Sequence, residues 1–294
     1  MKNRILFIAL VTVMAISCAT RQTEVEIIPI QDNVAPRLMQ RGLFADAPDS
    51  LFEALGLQDG IPSSVCAFLA KCDGKNVLFD AANGAPDSQL MHVLASNGVA
   101  PEDIDYIFIT HLHGDHIGGL MKDGTAVFTD AELYINKVEY DACMAMEQNA
   151  ALVALIQAYG DRLKTFASGD ALPCGVEAME AYGHTPGHTV YKVGSALVVG
   201  DIMHGVALQL ENPQYCARFD MDPEQSVATR KRILQMAADE DLRLYGMHFP
   251  EPYYLQNLRL YPHYDRESHD GDQEPKGDSE CERLGTDFLD GFKR

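Results

Sequence analysis

The sequence has few basic residues, and this shortage excludes one class of function. Its 294 residues contain 23 Lys and Arg against 43 Asp and Glu, which gives a formal net charge of -20. A protein that binds nucleic acid through the phosphate groups needs a basic surface. We therefore expect no nucleic-acid partner. The hydrophobic fraction of 47% is ordinary for a globular protein, and a chain of this length can bury a sizeable core.

Several motifs of catalysis and redox chemistry are also absent. The chain has no Gly-x-Ser-x-Gly sequence and no phosphate-binding Gly-Lys loop, so it offers no candidate for either chemistry. Its seven cysteines form no Cys-x-x-Cys pair and no zinc-finger spacing. Spacing alone does not pair them, and free thiols are a simpler interpretation than a disulfide framework. No internal repeat is visible.

The N-terminal segment has the pattern of a secretory signal. A basic start precedes an apolar run over residues 5–16, which is too short for a comfortable membrane span. The following Ala-Ile-Ser-Cys resembles a bacterial lipoprotein signal, so we expect removal of residues 1–17 and lipidation of Cys18. The alternative is an ordinary cleaved signal with an incidental cysteine. Both interpretations predict export, to the periplasm or to the outer membrane or cell surface. With the lipoprotein signal, the N-terminal lipid would be the sole membrane contact.

The remaining chain divides into three parts. We expect a polar leader over residues 18–34, the folded domain over residues 35–262 and an acidic tail over residues 263–294. The tail holds ten acidic and five basic residues and few apolar ones before Leu284, a composition typical of a solvated segment.

Short strands and helices share the folded domain. Asp73-Gly74, between two strand-like runs, is a strong hairpin signal. Asp222 and Pro223 predict a helix N-terminus. We expect strands at 63–70, 76–80, 105–110, 132–136, 175–181, 188–193, 196–200 and 243–247. We expect helices at 86–97, 138–165 and 223–238. This pattern indicates mixed sheets covered by helices.

The main chemical motif is His-Leu-His-Gly-Asp-His at residues 111–116, directly after a nearly continuous apolar strand. Alternation at the strand end points His111 and His113 the same way. The turn at Gly114 then brings Asp115 and His116 to the same point. Imidazole suits zinc and related divalent ions, and a carboxylate adds a hard ligand. Buried polar groups need partners, so we interpret this cluster as part of a metal site.

Three further residues are weaker candidates when each is taken alone. His184 lies in a Gly-His-Thr-Pro-Gly-His turn that can push its side chain into a site. Asp201 follows an apolar strand in Val-Val-Gly-Asp, where an aspartate often only caps a loop. His248 ends another predicted strand. Their common placement at strand ends makes them informative as a set.

The order of these motifs resembles that of the metallo-β-lactamase fold hydrolases, over about residues 35–262. The resemblance implies an α/β fold, a four-layer αββα sandwich of two mixed β-sheets flanked by helices, with two metal ions at one edge. It implies that the first metal is held by His111, His113 and His184, the second by Asp115, His116 and His248, and that Asp201 bridges both. It also implies that His188 is not a ligand and that Asp80 supports the site from behind the ligands.

Two further segments and three single positions indicate which branch of this family the chain resembles. Residues 61–69 and 200–213 are similar to methyl parathion hydrolase and its relatives, which include lactonases. Lactamases of the main zinc class usually carry Cys at the position of Asp201 and lack His at the position of His116. Many acyl-homoserine lactonases carry Tyr three residues after the bridging Asp, where this chain has His204. We consider both a catalytic and a merely supporting role for His204.

The ligand set predicts a dinuclear metal-dependent hydrolase that acts on a small molecule. A metal-bridging hydroxide would attack a lactone, an ester or a phosphotriester. The expected catalytic residues are Asp115, which passes a proton toward the leaving group, and His204, which aids orientation. The alternatives are a β-lactam or glyoxalase II-like thioester hydrolase and a non-catalytic metal-binding surface lipoprotein. Iron oxidoreductase chemistry is disfavoured, because the flavodiiron type carries Glu where His113 stands.

The metal, the oligomeric state and the substrate pocket are less constrained. Two divalent ions are expected, with zinc as the first choice and manganese, cobalt or iron as alternatives that suit the same ligands. Relatives are often dimers, so a homodimer is left open. Four apolar residues could wall the pocket or simply pack in the core: Phe44, Met203, Tyr215 and Phe219.

Overall fold

The structure is a computed structural model that describes residues 25–146 and 150–258. The expected signal over residues 1–17, the lipidated Cys18 and the acidic tail 263–294 lie outside the described residues. Among the described helices, none has both the length and the apolar character needed to cross a membrane.

Strands and helices alternate through the described chain. The strands are β1 Glu26–Gln31, β2 Arg37–Met39, β3 Ile61–Ser63, β4 Cys66–Cys72, β5 Lys75–Phe79, β6 Ile104–Ile109, β7 Met121–Lys122, β8 Thr125–Ala126, β9 Glu132–Asn136, β10 Leu163–Phe166, β11 Glu177–Glu180, β12 Thr189–Val193, β13 Ala196–Gly200, β14 Arg243–Gly246 and β15 Tyr254–Leu255. The helices are α1 Asp49–Ala54, α2 Leu90–Ser96, α3 Gly114–Ile117, α4 Lys137–Ala145, α5 Ala150–Tyr159, α6 Val206–Gln209 and α7 Pro223–Asp239.

Two mixed sheets form the centre of the fold. The first has six strands in the order β1-β4-β5-β6-β9-β10, in which β5, β6, β9 and β10 run parallel. The second has five strands in the order β11-β12-β13-β14-β15, in which only β13 and β14 are parallel neighbours. The carboxyl ends of parallel strands lie at one edge, and the candidate ligands follow such ends.

The core has three apolar layers, and these define the four-layer sandwich. Phe68, Phe108 and Tyr191 belong to the layer between the two sheets. A second layer packs α2 and α5 against the outer face of the first sheet. A third packs α7 against the outer face of the second sheet, through residues such as Ile233. Central strands are therefore apolar on both faces, and the αββα architecture expected from the sequence is confirmed.

Three local expectations differ from the structure. The predicted leader 18–34 is wrong for residues 26–31, which form β1 and pair antiparallel with β4 along their whole length. Apolar β-branched residues in this segment bury against the core and cover the sheet edge. The single helix predicted at 138–165 is α4 and α5 followed by strand β10. The helix predicted from residue 86 begins at Leu90.

Candidate metal centre

Loops from both sheets meet at one edge of the sandwich. The motif at 111–116 follows β6, and α3 is the single helical turn that carries its second half. Asp201 follows β13 directly, and His248 lies two residues after the parallel strand β14. A backbone hydrogen bond of 2.9 Å from Thr189 N to Thr110 O joins the two sheets beside these loops. The structure thus brings together ligand candidates separated by more than a hundred residues in sequence.

The first cluster consists of His111, His113 and His184. The distance from His111 Nε2 to His113 Nδ1 is 3.0 Å, and His184 Nε2 lies 3.1 Å and 3.0 Å from those two atoms. His111 and His184 are buried. Three imidazole nitrogens therefore point at a common centre, which is the arrangement of a three-histidine metal site.

The second cluster consists of Asp115, His116 and His248, whose ligand atoms lie within 4.8 Å of one another. His248 Nε2 is 3.6 Å from Asp115 Oδ2. Asp201 lies between the clusters: its Oδ1 is 3.2 Å from His116 Nε2, and its Oδ2 is 3.1 Å from His248 Nε2. The same Oδ2 is 3.5 Å from His184 Nε2 in the first cluster.

Two orphaned atoms show that these residues fit divalent ions. His116 Nε2 and Asp201 Oδ1 are fully buried and lie 3.2 Å apart, but neither makes a hydrogen bond among the residues that the structure describes. A buried polar atom without a partner costs free energy, on the order of 1–3 kcal/mol. Imidazole nitrogen and carboxylate oxygen are the donors that zinc and similar ions prefer. The donor chemistry and the orphaned atoms therefore both match a dinuclear metal centre.

Hydrogen bonds on the outer nitrogens orient the imidazoles. His116 Nδ1 is 2.8 Å from Asp80 Oδ2, and His184 Nδ1 is 3.0 Å from Asp220 Oδ1. His248 Nδ1 lies 2.9 Å from the carbonyl oxygen of Ser64. Each partner is an acceptor, so the outer nitrogen carries a proton, and the inner Nε2 is the atom that would bind a metal once it has no proton. This outer support is typical of metal-binding histidines.

Asp80 is held in a conformation that aspartate seldom adopts. Its φ is +56°, in the left-handed region. Its carboxylate accepts hydrogen bonds of 2.8 Å from both Thr110 N and Thr110 Oγ1, in addition to His116. Strain of this kind persists only where surrounding contacts enforce it, and it is frequent at functional sites. The supporting role that the resemblance implied for Asp80 agrees with these contacts.

His188 holds the backbone of Asp201 rather than facing the centre. Its Nε2 accepts a hydrogen bond of 3.0 Å from Asp201 N, and its Nδ1 donates to Ala181 O at 3.1 Å. Gly200 allows this approach: its φ is +51°, and a Cβ there would lie 2.6 Å from His188 Nε2. Both ring nitrogens are used, so His188 has none left for a metal.

The two clusters have opposite electrostatic surroundings. Burial and the neighbouring His116 and His184 hold the pKa of His111 well below its usual value, and burial lowers the pKa of His184 to about 4. Burial also opposes a charge on His116, but the carboxylates of Asp201 and Asp80 raise its pKa well above the usual value. The Asp201 carboxylate likewise raises the pKa of His248 against the effect of burial.

The ring of His204 lies against both clusters, and its centroid is 4.8 Å from that of His184. It is 1% exposed, and neither ring nitrogen has a hydrogen-bond partner in the described part of the chain. Its Nε2 is 3.3 Å from Asp201 Oδ2. Its ring packs between His248, at 5.3 Å between centroids, and Phe219, at 5.5 Å. Gln209 Oε1 fixes the loop by accepting from His204 N at 2.7 Å.

The expected pocket walls divide into two groups. Phe44 and Met203 are buried in apolar core clusters, and Tyr215 packs against the cluster that contains Phe44. Phe219 is 45% exposed and contacts His204. Of the four, Phe219 has the placement of a residue that a bound molecule could meet.

Three charged residues that support the site have no clear sequence signal. Buried Glu139, in α4, accepts hydrogen bonds from Leu112 N at 2.9 Å, Thr185 Oγ1 at 2.7 Å and Gly187 N at 2.9 Å. Asp220 orients His184, and its Oδ2 accepts from Arg230 Nη2 at 3.2 Å. Arg230 is fully buried. Their helix and loop positions carry no motif, and only long-range contacts reveal their role.

Comparisons with known proteins find similar sequences among the metallo-β-lactamase superfamily. Residues 61–122 match the family model of the metallo-β-lactamase superfamily. The chain is 25% identical over 183 residues to the N-acyl homoserine lactonase AiiA of Bacillus thuringiensis subsp. kurstaki, which covers 60% of this chain and 68% of that protein. It is 28% identical over 200 residues to metallo-beta-lactamase domain-containing protein 1 of Xenopus laevis, over 62% of this chain and 74% of that protein.

Solved structures show the same likeness. The hydrolase AbOPH of the β-lactamase superfamily aligns with a TM-score of 0.71 and 26% identity, over 80% of this chain and 90% of that one. AidC, a dizinc quorum-quenching lactonase solved with N-hexanoyl-L-homoserine, aligns with a TM-score of 0.69 and 25% identity, over 79% and 90% of the two chains. Fold, donor set and relatives together define a metal-dependent hydrolase with the metallo-β-lactamase fold. Within that class, its similar proteins include lactonases.

Proposed function

We propose that this enzyme is a dinuclear hydrolase that opens lactone rings. The observation that carries the proposal is the convergence of seven buried or half-buried donors in two clusters, with Asp201 within 3.2 Å of the second cluster and 3.5 Å of the first. A single ion cannot use all seven donors, since zinc sites in proteins take about four ligands. The likeness to a dizinc lactonase supports both the metal number and zinc as the metal.

Each donor has a position that suits a stated role. In the proposal, His111, His113 and His184 would hold one ion, Asp115, His116 and His248 would hold the other, and Asp201 would serve both. Two bound ions would activate a water molecule for attack and polarise the oxygen of the electrophile. The protein fixes these donors in advance through Asp80, Asp220 and the carbonyl of Ser64.

Asp115 is the group best placed to move a proton. Its side chain is 33% exposed, whereas Asp201 is almost fully buried, so Asp115 can reach both the site and an entering substrate. Burial raises the pKa of Asp115, but the charges of His116 and His248 bring it below its usual value. The ionised carboxylate can therefore accept a proton and pass it to the leaving alcohol of a lactone.

His204 is proposed to orient the substrate. Its two ring nitrogens make no hydrogen bond within the described residues, although the side chain is buried between His184 and His248. A hydrogen bond to the ester or leaving oxygen would satisfy one of them. Many acyl-homoserine lactonases carry Tyr at the corresponding place, and both side chains can donate a hydrogen bond.

The surroundings favour a neutral substrate with an apolar portion. Phe219 contacts His204, and Met221 is joined to the first cluster by a hydrogen bond of 3.1 Å from its N to His184 O. These two apolar side chains are 45% and 54% exposed. The strongly acidic chain would repel polyanions. An uncharged lactone with an acyl chain fits both the exposed apolar side chains and the acidic charge of the protein. Uncharged esters and phosphotriesters also fit the acidic charge.

The test is a substrate panel on protein reloaded with defined metals. Acyl-homoserine lactones of several chain lengths, simple lactones, aryl esters, aryl phosphotriesters, penicillins and S-lactoylglutathione would be compared by kcat/KM. The proposal predicts the highest value for a lactone, and that value should be lost in Asp201→Ala and kept in Asp130→Ala, an exposed acidic residue that is not among the ligand candidates. A higher value for penicillin or thioester would establish the corresponding alternative. No turnover of any substrate by metal-loaded protein would favour a non-catalytic metal-binding protein.

We further propose that the chain is exported and lipidated at Cys18. The support is the basic start, the short apolar run and the Ala-Ile-Ser-Cys sequence. Labelling with radioactive palmitate in a bacterial host tests it. The wild-type chain should take up label and enter the membrane fraction, whereas Cys18→Ser should do neither. Unlabelled, soluble wild-type protein would contradict lipidation and leave an ordinary cleaved signal.

A further inference from the structure

Two cysteines from different halves of the sandwich lie against each other. Cys72 ends strand β4 of the first sheet, and Cys174 lies three residues before β11 of the second sheet. Cys72 Sγ is 3.3 Å from Cys174 O, and Cys174 Sγ is 3.7 Å from Cys72 O. This reciprocal contact joins residues 102 positions apart in sequence.

The pair lies far from the metal centre. The opposite end of β4 is at the site, where Cys66 N donates to Met247 Sδ and Ser64 O accepts from His248. The seven residues of β4 span about 20 Å at roughly 3.3 Å per residue. The thiols are therefore not metal ligands of the centre described above.

Cys72 ends a strand next to a turn, Cys174 lies in a short connecting segment, and both are partly exposed. Cys72 precedes the Asp73-Gly74 turn of the β4–β5 hairpin, and Cys174 adopts a φ of +58° between Pro173 and Gly175. Turn backbones adjust more easily than central strands, so the sulfurs can approach to bonding distance. The other described cysteines differ: Cys66 and Cys143 are buried, and Cys216 contacts Arg230.

We propose that Cys72 and Cys174 form a disulfide that clamps the two sheets together in an oxidising compartment. One thiolate attacks a disulfide oxidant to give a mixed disulfide, and the second thiolate displaces the oxidant's remaining sulfur. Two protons leave the protein thiols, and the oxidant is reduced to two thiols. The compartment follows from the proposed export, but the pairing itself follows from the geometry and does not depend on the hydrolase activity.

The clamp affects stability rather than catalysis. Closing a loop of 102 residues removes conformational freedom from the unfolded chain, and long loops give the larger effects. We expect the oxidised protein to melt several degrees above the reduced protein. Burial raises the pKa of the Cys174 thiol to about 11, so the thiolate fraction is small and oxidation is slow without a catalyst.

The experiment equilibrates the reduced full chain with oxidised and reduced glutathione, then alkylates free thiols and maps peptides by mass spectrometry. The proposal predicts a cross-linked peptide pair containing Cys72 and Cys174, and a higher Tm that dithiothreitol reverses. Cys143→Ser, a matched control at another cysteine, should keep both. Cys72→Ser and Cys174→Ser should each lose both while keeping kcat/KM. Complete alkylation of Cys72 and Cys174 in folded protein under oxidising glutathione, or a cross-link to another cysteine, would overturn the proposal.

Discussion

The two clusters of candidate metal ligands lie in different electrostatic surroundings. The first cluster is made of imidazoles alone, and burial with neighbouring imidazoles holds the pKa of His111 and His184 low. The second cluster includes Asp115, and the carboxylates of Asp80 and Asp201 raise the pKa of His116. Neutral imidazole binds a metal without losing a proton, whereas a protonated imidazole must release one first. We therefore expect the metal affinity of the second cluster to depend more steeply on pH than that of the first cluster.

The carboxylates around the two clusters also differ in whether they contact one cluster or both. Asp201 contacts both clusters directly, whereas Asp80 directly contacts His116 of the second cluster and Asp220 directly contacts His184 of the first. Removal of the shared carboxylate should therefore affect both ions. Removal of the Asp80 or the Asp220 carboxylate should mainly affect the ion of the cluster that it contacts.

The largest effect is expected for Asp201→Ala. Loss of the shared carboxylate should remove both ions and lower kcat/KM by at least about 1,000-fold, the upper range for loss of one electrostatic group at a reacting centre. Metal content and kcat/KM would be measured on the same preparation. Retention of two ions in this variant would show that Asp201 does not join the clusters.

Asp80→Asn and Asp220→Asn form a matched pair, because each changes a carboxylate that contacts one ligand candidate in one cluster. Each replacement keeps the size of the side chain but weakens the acceptor that orients one ligand histidine. Each should lower the affinity for one ion by about 10- to 100-fold and leave the other ion in place. Stepwise metal titration by calorimetry measures this. Loss of both ions in either single variant would contradict the separation of the clusters.

His204→Ala should act on catalysis without acting on the metals. The side chain has no hydrogen-bond partner among the described residues and lies beside Asp201. Loss of one substrate hydrogen bond should lower kcat/KM by about 10- to 100-fold at unchanged metal content. His204→Tyr supplies another donor and should recover part of the lactonase activity. Loss of a metal ion from His204→Ala would instead make His204 a ligand.

The smallest effect on activity is expected for Glu139→Gln. The buried carboxylate connects the loop of the first cluster at Leu112 to the turn that carries His184. The amide keeps an acceptor oxygen but loses the charge, so the free energy of unfolding should fall by about 1–3 kcal/mol. Urea denaturation measures the change, with exposed Asp130→Ala as the control. A loss of activity larger than that of His204→Ala would place Glu139 closer to the chemistry than its contacts indicate.

The strands were predictable because their residues carry a local signal. The apolar run before His111 and the Asp73-Gly74 turn correspond to β6 and to the β4–β5 hairpin. Strand β1 was missed because its apolar residues follow a polar segment and precede Pro36, so composition suggested a leader. The strand β10 was missed because the apolar periodicity of α5 continues into it, and only pairing with β9 makes it a strand.

The ligand candidates were predictable from the sequence because a metal site needs His and Asp side chains close together, and these uncommon residues follow the ends of apolar strands. The supporting residues were not predictable, since Asp220, Arg230 and Glu139 act through contacts between segments distant in sequence. A single buried carboxylate has no spacing pattern of its own. The burial of Phe44 and Met203 likewise depends on packing that a pattern of apolar residues does not specify.

The most direct test of the account is the number of metal ions that the protein binds. Metal-free protein would be titrated with zinc by calorimetry, with elemental analysis of the dialysed product, in parallel with Asp201→Ala and Asp130→Ala. The account predicts two ions per chain for the wild type and for Asp130→Ala, and loss of both ions in Asp201→Ala. A wild-type chain that hydrolyses its best substrate with no bound metal, or with one ion and no response to the second, would contradict it.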